Sequence, residues 1–468
     1  MTNAKNATPE SQRPRAYELN HYPWHLGKVP PTVKVGGEEK PHPAWRSAIF
    51  VVHGMGTQVI TETAATLRSG FEDVIESLLA WERKEGIETP LAALGAIPPP
   101  LIAEGYWANY EDLKATFPED WADLDGRKRN FFAALWRTRL LSPTRTFFWL
   151  LRQQARLLNP RVIWEVGLFA WFLYIPLQVV SLAALLITLL RWRKILSRVL
   201  ADVRLYVAPE GITERAIVQR IDYRVGSEFL RMLGLDWEFR PLPSKKQRKL
   251  KKKPLNFERV IWVAHSLGTV ISFNVLSDLF AKAEELSASG DAKQRRGVEK
   301  FQKALRRFVT IGSPLDKIAY LFGERTLRPW PSPDRQKLVS GGETIAGQGE
   351  RSPREWWINF YHVLDPVSGP LTSPLICGQK PPLNLHIGFW ALPGLAHVAY
   401  WRDSLTLRFV LSRVYGRTFL QDKEYKPQSA LGIKVIAAIG YIVWAALIMT
   451  LAFAAVVLLP RYIIQMIS

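Results

Sequence analysis

The chain has one cysteine, Cys377, in 468 residues. That excludes an intrachain disulfide and any cysteine-built metal cluster, and it suits a cytosolic setting. No group of His, Cys, Asp and Glu has metal-ligand spacing, and no GxxxxGK[ST] phosphate loop occurs, so neither a metal nor another cofactor is expected. The N-terminus lacks the apolar core of a signal peptide. Acidic residues are scarce: 42 against 62 basic ones leave a formal net charge of +20. Such a balance invites nucleic acid, and Lys245-Lys-Gln-Arg-Lys-Leu-Lys-Lys-Lys253 is the natural candidate. This run carries no interleaved aromatics and belongs to no nucleic-acid module. A solvated loop or a contact with anionic lipid headgroups is the more economical reading, and no nucleic-acid partner is expected.

What is present is a set of apolar runs that each end in a turn. Val260-Ile-Trp-Val-Ala-His-Ser-Leu-Gly-Thr-Val270 reads as a buried strand breaking at Ser266 and resuming as a helix. A serine on a sharp strand-to-helix turn has its Oγ pushed clear of the backbone, with helix N–H groups behind it for a developing oxyanion. Small residues two before and two after let the turn close; these are Ala264, where glycine is usual, and Gly268. Ile49-Phe-Val-Val-His-Gly-Met-Gly56 is a second strand, ending in a His-Gly-x-Gly loop whose glycines can turn an N–H toward a substrate oxygen. The expected oxyanion donors are the N–H groups of Met55 and Leu267, with His53, Gly54, Gly56, His265 and Gly268 shaping the loops around them.

Phe308 to Pro314 and Ile358 to Pro366 read as two further strands, the second giving out at Asp365. Gly394-Leu-Ala-His-Val-Ala-Tyr-Trp401 then places His397 ahead of a helical stretch. The order Ser266, Asp365, His397 is that of an α/β-hydrolase triad: histidine moves the serine proton, and the carboxylate fixes the histidine tautomer. The rival base is His386 and the rival acid Asp316. His265 and His53 read as turn and loop residues, and His362 as a strand residue.

The residues carrying these matches resemble lipase-like α/β-hydrolases, most closely the DDHD-type intracellular phospholipases and related lipid deacylases. The matching pieces are Val51-Val-His-Gly-Met-Gly56, Asp202-Val-Arg-Leu-Tyr206, Ala264-His-Ser-Leu-Gly268, Ile311-Gly-Ser-Pro-Leu315, Phe360-Tyr-His-Val-Leu-Asp-Pro-Val367 and His397-Val-Ala-Tyr-Trp401. The resemblance implies an α/β fold with a mostly parallel central sheet, and hydrolysis of a membrane lipid or other acyl ester. A tethered esterase or thioesterase for soluble substrates, and a silent membrane scaffold keeping the fold, are the alternatives.

Two uncharged blocks, Val166 to Leu190 and Val435 to Leu459, set the expected organisation. Each has about 25 residues, enough at roughly 1.5 Å per residue to cross a bilayer core of about 30 Å. The second, bracketed by Lys434 and Arg461, reads as a transmembrane helix within 431–468. The first contains Pro176. The strands at Ile49 and Val260 must share a sheet if Met55 and Ser266 share a site, so the chain between them must return to the same membrane face. A re-entrant hairpin over 162–190 or a pair of interfacial helices meets that demand. Arginines on both flanks suit an anionic, cytoplasmic surface. The expected division is a poorly ordered arm over 1–43, a catalytic domain over 44–89 and 201–425, and a helical insertion over 90–200.

Overall fold

A computed structural model describes residues 32–35, 37–42, 44–54, 62–86, 100–107, 203, 205–209, 211–242, 257–322, 327–328, 356–362, 365, 367–373, 382–387 and 396–415. Both uncharged blocks, the hairpin 162–190, the C-terminal segment 431–468 and the lysine run lie outside these residues. Among the described residues no helix is long and apolar enough to cross a membrane.

The fold is α/β. Two short strands, β1 (Thr32–Val35) and β2 (Glu38–Pro41), form an antiparallel hairpin turning at Gly37, whose φ is 83°. They occupy part of the segment 1–43 expected as a poorly ordered arm; the charge of Glu38-Glu-Lys40 masks the strand pattern. Then come β3 (Ser47–Val52), α1 (Glu62–Glu85), β4 (Leu101–Glu104), α2 (Ile212–Met232) and β5 (Arg259–His265). They are followed by α3 (Leu267–Ser289), α4 (Ala292–Ala304), β6 (Leu305–Ile311), α5 (Leu315–Phe322) and β7 (Trp357–Tyr361). β8 (Leu383–His386), α6 (Ala396–Ala399), a 3₁₀ turn (Tyr400–Arg402) and α7 (Ser404–Tyr415) close the described chain.

Six strands form one sheet in the order β4-β3-β5-β6-β7-β8, every neighbouring pair parallel. The expected insertion over 90–200 is corrected at β4: Leu101-Ile-Ala-Glu104 pairs with β3 and belongs to the sheet. Four wholly buried residues show no alternation, so the sequence pattern cannot tell such a strand from part of a buried helix.

Parallel strands covered on both faces are apolar at every position, and β3 is buried throughout. Its side chains alternate between two cores. Ala48, Phe50 and Val52 pack with Val260, Trp262 and Ala264 of β5 under α2 and α3. Ile49 and Val51 pack with Ile261, Val263 and Val309 under α1 and α7. The chain therefore leaves β3 toward one face and β5 toward the other, although the two strands are neighbours. That divergence opens a crevice beyond their carboxyl ends, where ligands bind in open α/β sheets.

Candidate active site

His53, Gly54, His265 and Ser266 lie at this crevice. Ser266 has φ 53° and ψ −129°, a conformation that costs a non-glycine residue about 1–3 kcal/mol and must be held from outside. Its N–H donates to Ile311 O of β6 at 3.1 Å, and its carbonyl accepts from Thr269 N at 2.9 Å and Thr269 Oγ1 at 2.7 Å. Ser313 Oγ stands 2.9 Å behind Thr269 Oγ1. Having spent its proton on Ser266 O, the threonine hydroxyl receives one from Ser313.

The turn also depends on two glycines. A Cβ at Gly268 would sit 2.2 Å from His53 O and 2.6 Å from Val52 O, so only glycine lets the start of α3 press against the end of β3. A Cβ at Gly54 would meet Ser266 Cβ at 2.7 Å. Ala264, where glycine was the usual expectation, is buried in the core and accommodates its methyl there.

Three residues far apart in sequence converge on the crevice. His397 Nε2 is 2.7 Å from Ser266 Oγ, and His397 Nδ1 is 2.9 Å from Asp365 Oδ2. Asp365 is fully buried just beyond β7. Burial pushes its carboxyl upward, but His397, the Lys317 ammonium and the Tyr400 hydroxyl outweigh that and hold it well below the usual carboxylate range. Its Oδ1 accepts Val367 N–H at 2.8 Å, and its Oδ2 accepts Tyr400 O–H at 2.8 Å. An ionised, acceptor-only carboxylate requires the proton on His397 Nδ1, which leaves Nε2 as the acceptor facing Ser266.

His265 serves the backbone of this arrangement. Its Nε2–H donates to His397 O at 2.8 Å, and burial, helped by His397, lowers its pKa to about 3, so the ring is neutral. His53 is likewise neutral: burial lowers its pKa to about 4, and its Nδ1–H donates to Gly54 O at 2.8 Å. Its ring stacks on Trp107 at 5.1 Å, and Trp107 Nε1 donates to His53 O at 3.0 Å. The expected loop role for His53 and turn role for His265 agree with these contacts.

Neither rival joins the group. His386, at the end of β8, stacks on His362 at 5.4 Å, and burial together with His362 keeps its pKa well below the ordinary value. Asp316 accepts Thr372 N–H at 2.9 Å and Ser373 N–H at 3.1 Å, so its carboxylate fastens the 371–373 loop. Of the two expected oxyanion donors, Leu267 is the first residue of α3, where a helix leaves its N–H without an intrahelical acceptor. Met55 and Gly56 lie outside the described residues. Among the described residues no group of three or more His, Cys, Asp and Glu could hold a metal ion.

Sequence reasoning missed Thr269, Ser313, Lys317, Ser368 and Tyr400. Ser313 and Tyr400 lie within two of the family-like motifs, Ile311-Gly-Ser-Pro-Leu315 and His397-Val-Ala-Tyr-Trp401. A tyrosine three residues after a histidine on a helical turn was a usable signal, because i and i+3 share a face.

Taken together, the group can relay a proton from a strained serine hydroxyl to an imidazole backed by a buried carboxylate, beside a helix N-terminus. Comparison with known protein families, with curated proteins and with solved structures found no match.

Proposed function

We propose that the chain is a serine hydrolase of the α/β-hydrolase type that cleaves carboxylic esters of lipids. The observation that carries the reading is the unbroken relay Ser266 Oγ, His397 Nε2, His397 Nδ1, Asp365 Oδ2, built on a serine with positive φ. In this reading His397 takes the hydroxyl proton as Ser266 Oγ attacks the ester carbonyl. The Leu267 N–H faces the oxyanion, with Met55 N–H as its expected companion. Collapse of the tetrahedral adduct breaks the acyl C–O bond, and His397 returns the proton to the departing alcohol. Water, deprotonated by the same imidazole, then attacks the acyl-serine and releases the carboxylic acid.

Lipid as the substrate class rests on the family resemblance and on the two uncharged blocks with their basic flanks. Anchored by a C-terminal transmembrane helix and a hydrophobic hairpin, the catalytic domain would work at the cytoplasmic, anionic face of a bilayer, its crevice at headgroup level.

The test is fluorophosphonate labelling of the detergent-solubilised chain, with the adduct located by peptide mass. An adduct on Ser266 is expected, absent from Ser266→Ala and lost in His397→Ala. Turnover of a long-chain ester should fall roughly a millionfold in Ser266→Ala with folding unchanged. It should rise when the substrate is presented in anionic vesicles; activity confined to short soluble esters would overturn the lipid assignment.

A further inference from the structure

We infer that Tyr400 is a positioning residue whose phenol, by hydrogen-bonding the carboxylate oxygen that also receives His397, sets how tightly Asp365 holds the imidazole. The inference rests on the serine-hydrolase reading of the site.

Proton counting fixes the direction of each bond. Asp365 Oδ2 lies 2.9 Å from His397 Nδ1 and 2.8 Å from Tyr400 Oη, and its Oδ1 lies 2.8 Å from Val367 N. An ionised carboxylate only accepts, so the single phenolic proton points at Oδ2. Tyr400 Oη is then an acceptor toward everything else. Ser368 Oγ, 2.8 Å away, donates to it, and the His362 backbone adds a further bond. The Ser368 carbonyl is itself clamped by Lys317 Nζ at 2.8 Å. Tyr400 is buried with no exposed surface, and its ionisation is pushed well above the ordinary range by burial and the neighbouring Asp365 charge, so it stays a donor.

Geometry makes this more than a satisfied hydroxyl. His397 lies in α6 and Tyr400 opens the 3₁₀ turn that continues it, so both donors to one oxygen come from residues three apart on one short helical segment. The carboxylate cannot rotate without breaking both bonds. The phenol also takes up part of the charge on Oδ2, and Ser368 behind it polarises the phenol and strengthens that donation. With the phenol gone, Oδ2 would keep His397 Nδ1 as its one side-chain donor and would present more of its charge to the imidazole.

The experiment measures the rate of Ser266 phosphonylation by a fluorophosphonate from about pH 5 to about pH 8. The full chain is used as wild type, Tyr400→Phe and Ser368→Ala. In Tyr400→Phe the adduct should remain on Ser266, and the plateau rate should fall by about threefold to tenfold. The pH of half-maximal labelling should rise by about half a unit to one unit. Ser368→Ala should move that pH the same way by less, and it carries the test if Tyr400→Phe does not fold. A lowered plateau with an unmoved half-maximal pH in the folded variants would mean packing alone and would overturn the inference while leaving the hydrolase reading intact. A folded wild type that gives no Ser266 adduct at any pH would overturn the reading and the inference together.

Discussion

At Gly268 a single hydrogen atom decides whether the nucleophile turn can exist. The carbonyls of Val52 and His53 occupy the space a Cβ would need, and they belong to the backbone, which cannot swing aside as a side chain could. Gly268→Ala should therefore lower stability by at least about 2 kcal/mol in urea unfolding and slow fluorophosphonate labelling of Ser266. A variant with wild-type stability and labelling would show that β3 and α3 can separate at little cost. Ser266, Asp365 and His397 were legible in the sequence because each stands where a strand gives out or a helix begins. Ser368 and Lys317 were not, since their hydrogen bonds join segments distant in sequence and leave no local pattern. The rivals were separable only by geometry: Asp316 and Asp365 both follow strands, but only one reaches a histidine.

The strands contribute more than position, because a buried polar ladder runs across β6, β7 and β8. Trp357 Nε1 donates to Thr310 Oγ1 at 3.1 Å, and Thr310 donates to Asn359 Oδ1 at 3.0 Å. Asn359 Nδ2 reaches Gly369 O at 3.0 Å and Asn384 Oδ1 at 2.8 Å, and Asn384 Nδ2 reaches Leu371 O at 3.0 Å. The loop behind Asp365 is thus tied to the sheet. Asn359→Leu would strand the Gly369 carbonyl and one bond of Asn384, and would leave the Thr310 hydroxyl only the longer bond to Ile358 O at 3.4 Å. It should cost about 2–4 kcal/mol in urea unfolding and reduce labelling of Ser266 as Asp365 loosens. Unchanged stability would show that the ladder re-forms without it. β3, β5, β6 and β7 were readable as apolar runs. β4 is too short to show a period, and in β8 the polar Asn384 and His386 interrupt the apolar run.

Across the molecule, one buried cluster joins segments that the site does not use. Tyr206 Oη donates to Asp222 Oδ1 at 2.6 Å, Arg328 Nη2 donates to Asp222 Oδ2 at 2.6 Å, and Asn274 of α3 bonds to both Tyr206 Oη and Arg328 N. Arg328 also pairs with Asp278. Burial raises the Asp222 pKa from 3.8 to about 6 against the pull of Arg328. The folded state therefore holds this proton more tightly than the unfolded state does. The stability it contributes is complete below about pH 4 and is lost as pH rises through about 6. Referenced to Asp222→Asn, wild-type stability in urea should fall by at most a few kcal/mol across that window and be flat above it; a flat difference throughout would show that Arg328 fully compensates the buried charge. Asp202-Val-Arg-Leu-Tyr206 was legible as a motif, but its partner Asp222 could be found only by folding the chain.

The adjacency of β3 and β5 also governs the order of events during synthesis. β4 is made soon after β3 and can cover one of its edges, but the other edge pairs only with β5, after residues 53–258 have been added. At about 5–20 residues per second that interval is roughly 10–40 s, during which Ser47–Val52, buried at every position in the finished sheet, has an unpaired edge. The uncharged block Val166 to Leu190 emerges within the same interval. A chain released before β5 would present a parallel-sheet edge to any neighbouring strand.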